Sequence, residues 1–436
     1  VVGLVLLLAA LTVATGGAAP TTVGPGAGAA STGLPPAVVA APVAAAPVAS
    51  TSGDPLAAHR AEVTQLLGDV AAAFAAGDAA LLAAQLHDPT TAFGRAWLAR
   101  AEAMAEVPLT GYDLALDTSL ADLTTPALAA DGALLVNVVE THGLLGAEQL
   151  GDASEHLYLT LRRSEGAWRV AGDNDAAPLG LLSVRHLWDD GPVVAARRGD
   201  VLLLHHPGQP SVAALLDEAS AALAVVRERW PLAWPGQLVV LVPEDQDELA
   251  DLLQVSFGLD AFVAFASGNV SGTLGAFEVT GTRVLLNTST LLRRSPATRR
   301  SVLAHELVHV ATRPATGPAV PAWLEEGVAQ VVGQRRSQTG TSLLTATPAA
   351  ELALPADAAF TGGTPDDTRR SYQLSWGFVD WLVRTRGVAD LGRFYAAAGD
   401  GATRGVGTAD ARLDAAAVAV YGSDLASLVD GWRRGR

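Results

Sequence analysis

The chain contains no cysteine. Disulfides and thiolate metal sites are therefore excluded, as is a lipid-modified cysteine, and His, Asp and Glu remain as the strong metal ligands. Lysine and isoleucine are missing too, so all 29 basic side chains other than His are Arg, with no basic run among them. The net charge is -16. Phosphates would be repelled, and we expect no nucleic-acid partner. No apolar run reaches the roughly 20 residues of a membrane span. The longest, VVGLVLLLAALTVA at 1–14, suits the apolar region of a secretory signal, with small residues near Ala14 or Ala18 for cleavage. The chain opens on Val without a basic leader, so we expect a segment upstream that could turn the signal into an uncleaved anchor. Residues 1–19 are read as signal peptide or membrane anchor. The expected location is secreted or extracytoplasmic, with the N-terminal segment able to serve as a membrane anchor.

What remains is globular. Of 436 residues, 50% are apolar and 17% charged, enough for two or three cores. Residues 20–54 are the exception, being almost wholly Ala, Pro, Gly, Val, Ser and Thr. Their six prolines deny them helix and paired strand, so they read as a disordered linker.

From Pro55 the pattern becomes periodic. Leu56, Val63, Leu66, Leu67, Val70, Ala73 and Phe74 recur at helical spacing, Gly77-Asp78 breaks the helix, and a second short helix runs to about Leu86. Strand patterns follow near 112–117, 133–142, 156–163 and 167–172. In the third, Leu157, Leu159 and Leu161 alternate with Tyr158, Thr160 and Arg162, and Ser164-Glu165-Gly166 turns the chain into Trp168. Helices before a curved antiparallel sheet, closed by GAWRVAG, resemble the NTF2-like cone fold over about 56–180. His142 and His156 are candidates to line its pocket, although a core or surface role is the commoner fate of such residues.

A second unit is expected over 190–436. The runs 201–204, 238–242 and 283–287 read as strands, Ala213–Trp230 as a helix, and the remainder as mainly helical. His205 and His206 end the first strand; neighbours there point to opposite faces, and we read them as structural.

The chemistry sits in His305-Glu306-Leu307-Val308-His309. Ser295-Pro296 is a helix start, and residues four apart project from one face, so both imidazoles can share an ion. Glu306 lies at the edge of that site, placed to take a proton from water. Seventeen residues on, Pro321-Ala322-Trp323-Leu324-Glu325-Glu326-Gly327-Val328-Ala329 supplies a second helix. Pro314, Gly317 and Pro318 lie in the connecting loop. Ala322, Gly327 and Ala329 are small enough to let Glu326 approach as third ligand. Three protein ligands leave the fourth zinc position for water.

HELVH followed by WLEEGVA resembles the gluzincin metallopeptidases, in particular the peptidase MA-like proteins with their W-L-x-E-G-x-A motif. The resemblance covers roughly 190–436. It implies a thermolysin-like zincin, with His305, His309 and Glu326 as Zn2+ ligands and Glu306 as the catalytic base acting on zinc-bound water. Glu325 takes the variable position, and Gln330 departs from the acid common in relatives. Tyr372, in SYQLSWGF, matches the later-helix Tyr that stabilises the oxyanion. Arg369 and Arg370 are alternative donors, more often solvated. No amine-binding motif is present beyond a loose GAFEV at 275–279, which leaves endopeptidase as the default and aminopeptidase open.

The expected fold is α+β: a signal or anchor (1–19), a linker (20–54), an NTF2-like cone (55–185) and a gluzincin-type unit (190–436). The latter joins a small mixed sheet to a mainly helical C-terminal part. The expected function is peptide-bond hydrolysis in a peptide or protein substrate. The alternative is an exported zinc-binding protein without peptidase activity, acting as a binding module through the cone.

Overall fold

The computed structural model describes residues 3–9, 56–118, 123–260, 262–273, 276–317, 320–334, 347–360, 364–399 and 408–435. The Ala/Pro-rich linker lies outside them, as does Pro318. The described chain is mixed α and β, with two sheets.

The apolar run expected as signal or anchor contributes strand β1 (Gly3–Ala9). Among the described residues no helix is long and apolar enough to cross a membrane.

Helices α1 (Arg60–Ala76), α2 (Ala79–Ala83) and α3 (Ala92–Met104) come next. Helix α1 ends where Gly77 turns left-handed at φ 63° and its N–H caps the carbonyls of Ala73 and Phe74. Asp78 then caps α2 through bonds of 2.9 and 3.0 Å from Ala80 N and Leu81 N. Helix α3 had no clear periodic signature, and it starts on Thr91, whose hydroxyl accepts from Gly94 N.

Strands β2 (Leu109–Leu116), β3 (Leu134–Leu144), β4 (Ala153–Ser164) and β5 (Ala167–Gly172) form an antiparallel sheet in that order, with the short α4 (Pro126–Ala130) between β2 and β3. Glu165 and Gly166 both take positive φ, 51° and 84°, the tight hairpin expected there. Leu157, Leu159 and Leu161 are fully buried against α1 and α3. The opposite face is covered as well: Tyr158 packs on Leu135 and Ala176, and Thr160 bonds to Asp175.

The second sheet is mixed. It holds β6 (Val194–Arg198), β7 (Val201–His205), β8 (Leu238–Val242), β9 (Ala264–Thr273) and β10 (Ala276–Leu286), in the order β1-β9-β10-β8-β7-β6. Strands β7, β8 and β10 run parallel, while β9 and β1 are antiparallel to their neighbours. Helix α5 (Val212–Arg229) crosses between β7 and β8, and α6 (Gln246–Leu253) follows β8. After β10 come α7 (Thr288–Leu291), α8 (Pro296–Thr312), α9 (Ala322–Gly333), α10 (Pro365–Arg386), α11 (Val388–Gly399), α12 (Ala409–Tyr421) and α13 (Leu425–Gly435).

Alternation along these strands divides the sheet between two cores. Val201, Leu203, Val240, Val242, Val284 and Leu286 face the helices that follow. Leu202, Leu204, Val239, Leu241, Phe265 and Leu285 face the first unit and share its core. At about 1.5–3 kcal/mol for each buried side chain, this second set outweighs any single polar contact at the boundary. Polar contacts add register: Ser154 N donates to Asn269 Oδ1 at 3.1 Å, and Gln237 bridges Gln149 N and Gly146 O. The two stretches read as separate units in sequence are thus packed on opposite sides of one sheet.

Candidate metal centre

Helix α8 begins as its sequence dictates. Ser295 Oγ accepts from Thr298 N at 3.2 Å, and Pro296 fills the first position, where no N–H is needed. The helix packs on α5, α9 and β9, and everything from Val302 to Thr312 is buried. Helix α9 returns after a turn held at the C-terminal end of α8. There Thr316 Oγ1 hydrogen-bonds Thr312 O at 3.0 Å and the Tyr395 hydroxyl at 2.8 Å.

The two helices meet closely at Gly333. A Cβ there would lie 2.8 Å from the backbone of Ala304 and His305. Gly327 does something other than expected: a Cβ on it would meet Val379 at 2.6 Å and the Ser375 carbonyl at 2.8 Å, both on α10. The small residue beside Glu326 therefore admits α10 on the far side, and the close approach to α8 is made one and a half turns later.

His305, His309 and Glu326 converge. His305 Nε2 stands 3.3 Å from His309 Nε2 and 3.2 Å from Glu326 Oε2, and His309 Nε2 stands 3.7 Å from that oxygen. Ligands about 2.0–2.1 Å from a tetrahedral zinc lie roughly 3.3 Å from one another. The spacing fits such an ion without rearrangement. Glu326 Oε2 faces both imidazoles at once, as ligands do around one point. All three residues could hold a metal, and each is at most 3% exposed.

Glu306 sits on the neighbouring edge, 1% exposed. The backbone N–H of Ala266 on β9 faces it and partly offsets the effect of burial, while its Oε2 has no hydrogen-bond partner. Burial, reinforced by the nearby Glu326 carboxylate, pushes the Glu306 carboxyl well above the usual range. Burial would raise Glu326 likewise, but the His309 and His305 imidazoles hold it down at about 2. Burial also lowers His309. Two carboxyls a few ångströms apart are thus divided into one that stays ionised and one that readily holds a proton. Glu325, in the variable position, is raised by burial to about 7, with Arg313 opposing the shift.

The other sequence candidates are more scattered. Tyr372 is buried on α10 with its ring edge-on to Phe360, centroids 5.3 Å apart. Helix α10 packs on α9, and Ser375, one turn after Tyr372, makes the close contact to Gly327. Arg369 and Arg370 pair with Asp366 and Glu351 at the surface, 2.7 and 3.6 Å away. His205 Nδ1 bonds to the His206 carbonyl, and His206 Nε2 meets Glu248 Oε1 at 2.8 Å, which accounts for both rings without a metal. His156 pairs with Asn137 Oδ1 and stacks on Tyr158.

His142 is different. A candidate to line a pocket with His156, it is set beside Glu140 and His186 in a second buried group whose ligand atoms all lie within 4.8 Å of one another. The signal that was available is local: Glu140 and His142, two apart on a strand, share a face. His186, 44 residues on, joins them only through folding. No family model, curated protein or solved structure matches the chain.

Proposed function

We propose that the protein is a zinc-dependent metallopeptidase of gluzincin type, exported and secreted or held at the membrane through its N-terminal apolar segment. The observation that carries this reading is the spacing of His305, His309 and Glu326, which suits one tetrahedral ion, beside a buried carboxylate that is not a ligand. A closed structural site would give Glu306 no task, and burying it there would be a cost without return.

A zinc ion held by the three residues would supply Lewis-acid activation of water and of the scissile carbonyl. The chain's own groups do the rest. Ala266 N–H faces the Glu306 carboxyl, whose Oε2 has no hydrogen-bond partner. That oxygen takes the proton of the attacking water and hands it to the leaving amine, a role suited to a carboxyl whose affinity for protons has been raised. Glu326, held ionised by its two imidazoles, keeps a negative charge on the metal side. Tyr372 is the candidate donor to the oxyanion, carried on the helix that packs against α9.

The test is metal content and cleavage of a peptide library by the full chain, wild type against Glu306→Gln. Zinc bound by both proteins, with cleavage by the wild type alone, is the expected result. Zinc bound with no cleavage of any peptide by the wild type would favour a non-catalytic binding protein. Equal cleavage by both would exclude Glu306 as the base.

A further inference from the structure

The second buried group lies where the two sheets face each other. Glu140 and His142 project from β3, and His186 comes from the segment that leaves the first sheet for the second. Glu140 Oε1 stands 2.8 Å from His186 Nε2 and 3.8 Å from His142 Nδ1. Glu140 Oε1 and His186 Nε2 pair with each other, His142 Nδ1 has no hydrogen-bond partner, and all three side chains are at most 4% exposed. Leaving a polar atom buried and unsatisfied costs about 1–3 kcal/mol, so His142 Nδ1, aimed at that pair, calls for a partner that an ion shared with them would supply.

The surrounding charges say what sort of partner. Arg100 Nη1 pairs with Asp189 at 3.0 Å, and Arg283 pairs with Glu155. Each arginine therefore has a carboxylate besides Glu140. Glu140 receives Arg100 Nη2 on its other oxygen at 2.8 Å, sharing that cation with Asp189. Three carboxylates, Glu140, Glu155 and Asp189, thus face two guanidiniums and the imidazoles, an acidic surrounding that favours a cation where an uncompensated charge is expensive.

We propose that Glu140 Oε1, His142 Nδ1 and His186 Nε2 form a second transition-metal site, of the class that takes zinc. Two imidazoles and one carboxylate are borderline ligands suited to that ion. The separations of 2.8 and 3.8 Å from Glu140 bracket the ~3.3 Å expected around a tetrahedral centre. Trp188 closes one side, stacked on His186 at 4.5 Å and edge-on to His142 at 5.2 Å. On the other side His142 lines a small cleft of about 30 Å³ with Leu144, Gly151, Ala153, Gly281 and Arg283, which gives an ion a way in. Glu155, on β4, reaches the rim of the group, 3.8 Å from His186 Nδ1, while bonded to Arg283 of β10. A metal here would tie the first unit to the strand next to β9, and so to the sheet that carries Ala266.

The experiment is zinc stoichiometry on the full chain. The protein is stripped with chelator, reloaded with zinc and dialysed against a competing chelator of micromolar affinity. Wild type is compared with Glu140→Gln, His142→Ala and His305→Ala. We expect two equivalents in the wild type, one in each variant, and none in Glu140→Gln combined with His305→Ala. A wild type that holds one equivalent and keeps it in His142→Ala overturns the site, as does retention of two equivalents in both Glu140→Gln and His142→Ala. One equivalent lost in His142→Ala but kept in His305→Ala would leave this site standing and remove the α8 site instead, so the two readings fail separately. Should His142→Ala not fold by circular dichroism, Glu140→Gln decides alone, because it keeps the shape and an oxygen for Arg100.

Discussion

The backbone N–H of Ala266 on β9 faces the carboxylate of Glu306 on α8 and partly offsets its raised proton affinity. The contact is made by a strand, whose position is set by its neighbours in the sheet and not by the helix that carries the glutamate. Glu306 Oε2 is left buried without a partner. This arrangement suits proton transfer and is poor for stability.

The cost should be measurable in metal-free protein. The folded-state pKa of Glu306 is raised, so as pH climbs above its ordinary value of 4.5 the unfolded chain ionises while the folded one resists. Folding stability is lost over that rise. Glu306→Gln removes the titration, and with chelator present we expect the variant to be more stable than wild type by about 1–3 kcal/mol at pH 8. The gap should shrink towards pH 4. Denaturant unfolding at both pH values checks it, and a gap that does not change with pH would contradict the assignment.

Tyr372 separates two roles by a single atom. Tyr372→Phe keeps the ring that meets Phe360 and removes only the hydroxyl. If that hydroxyl stabilises the oxyanion, kcat falls by about 10²–10³ with KM and melting temperature little changed. Unchanged kcat assigns Tyr372 to packing, and steady-state kinetics on one cleaved peptide is sufficient.

Glycine substitutions should act in opposite directions at two helical positions. Gly333→Ala forces a methyl to 2.8 Å from the Ala304 and His305 backbone. Overpacking of that kind costs typically about 1–3 kcal/mol, and here it displaces a metal ligand, so zinc affinity should drop as well. Gly68, inside α1, has nothing within 4 Å of an added Cβ. Gly68→Ala should therefore stabilise, by about 0.5–1 kcal/mol. Thermal melts of the two variants together test the helix contact against a general intolerance of substitution.

Arg283→Met should be among the more damaging changes away from α8. It leaves Glu155 buried with its cation removed, for which about 3–5 kcal/mol is typical. Adding Glu155→Gln to Arg283→Met should recover much of that loss. A double variant no better than the single would show that Arg283 acts through something other than this pair.

Much of the α8 site was legible because its determinants are local. A Ser-Pro start, two histidines one turn apart and a glutamate on the next helix need only helical periodicity to be brought to one face. The hairpin at Glu165-Gly166 and the stop at Gly77 were legible for the same reason, since backbone conformation at those positions restricts the residue type. Helix α3 and strand β9 were not. Ala92–Met104 has Arg100 buried on its inner face, and the Ala, Gly and Ser of Ala264–Thr273 show no strand alternation.

By itself, then, the sequence determined the chemical inventory and one constellation: no thiol, two imidazoles and two carboxylates at helical spacing, and an apolar helix to bury them. Tertiary structure decided the rest. Only packing shows that Val201–Leu204 serves two cores on alternate faces, that Gly327 faces α10 while Gly333 faces α8, and that Ala266 reaches Glu306. Only packing sets Glu140 and His142 beside His186. Those relations join residues on different strands and helices, where spacing along the chain carries no information about distance.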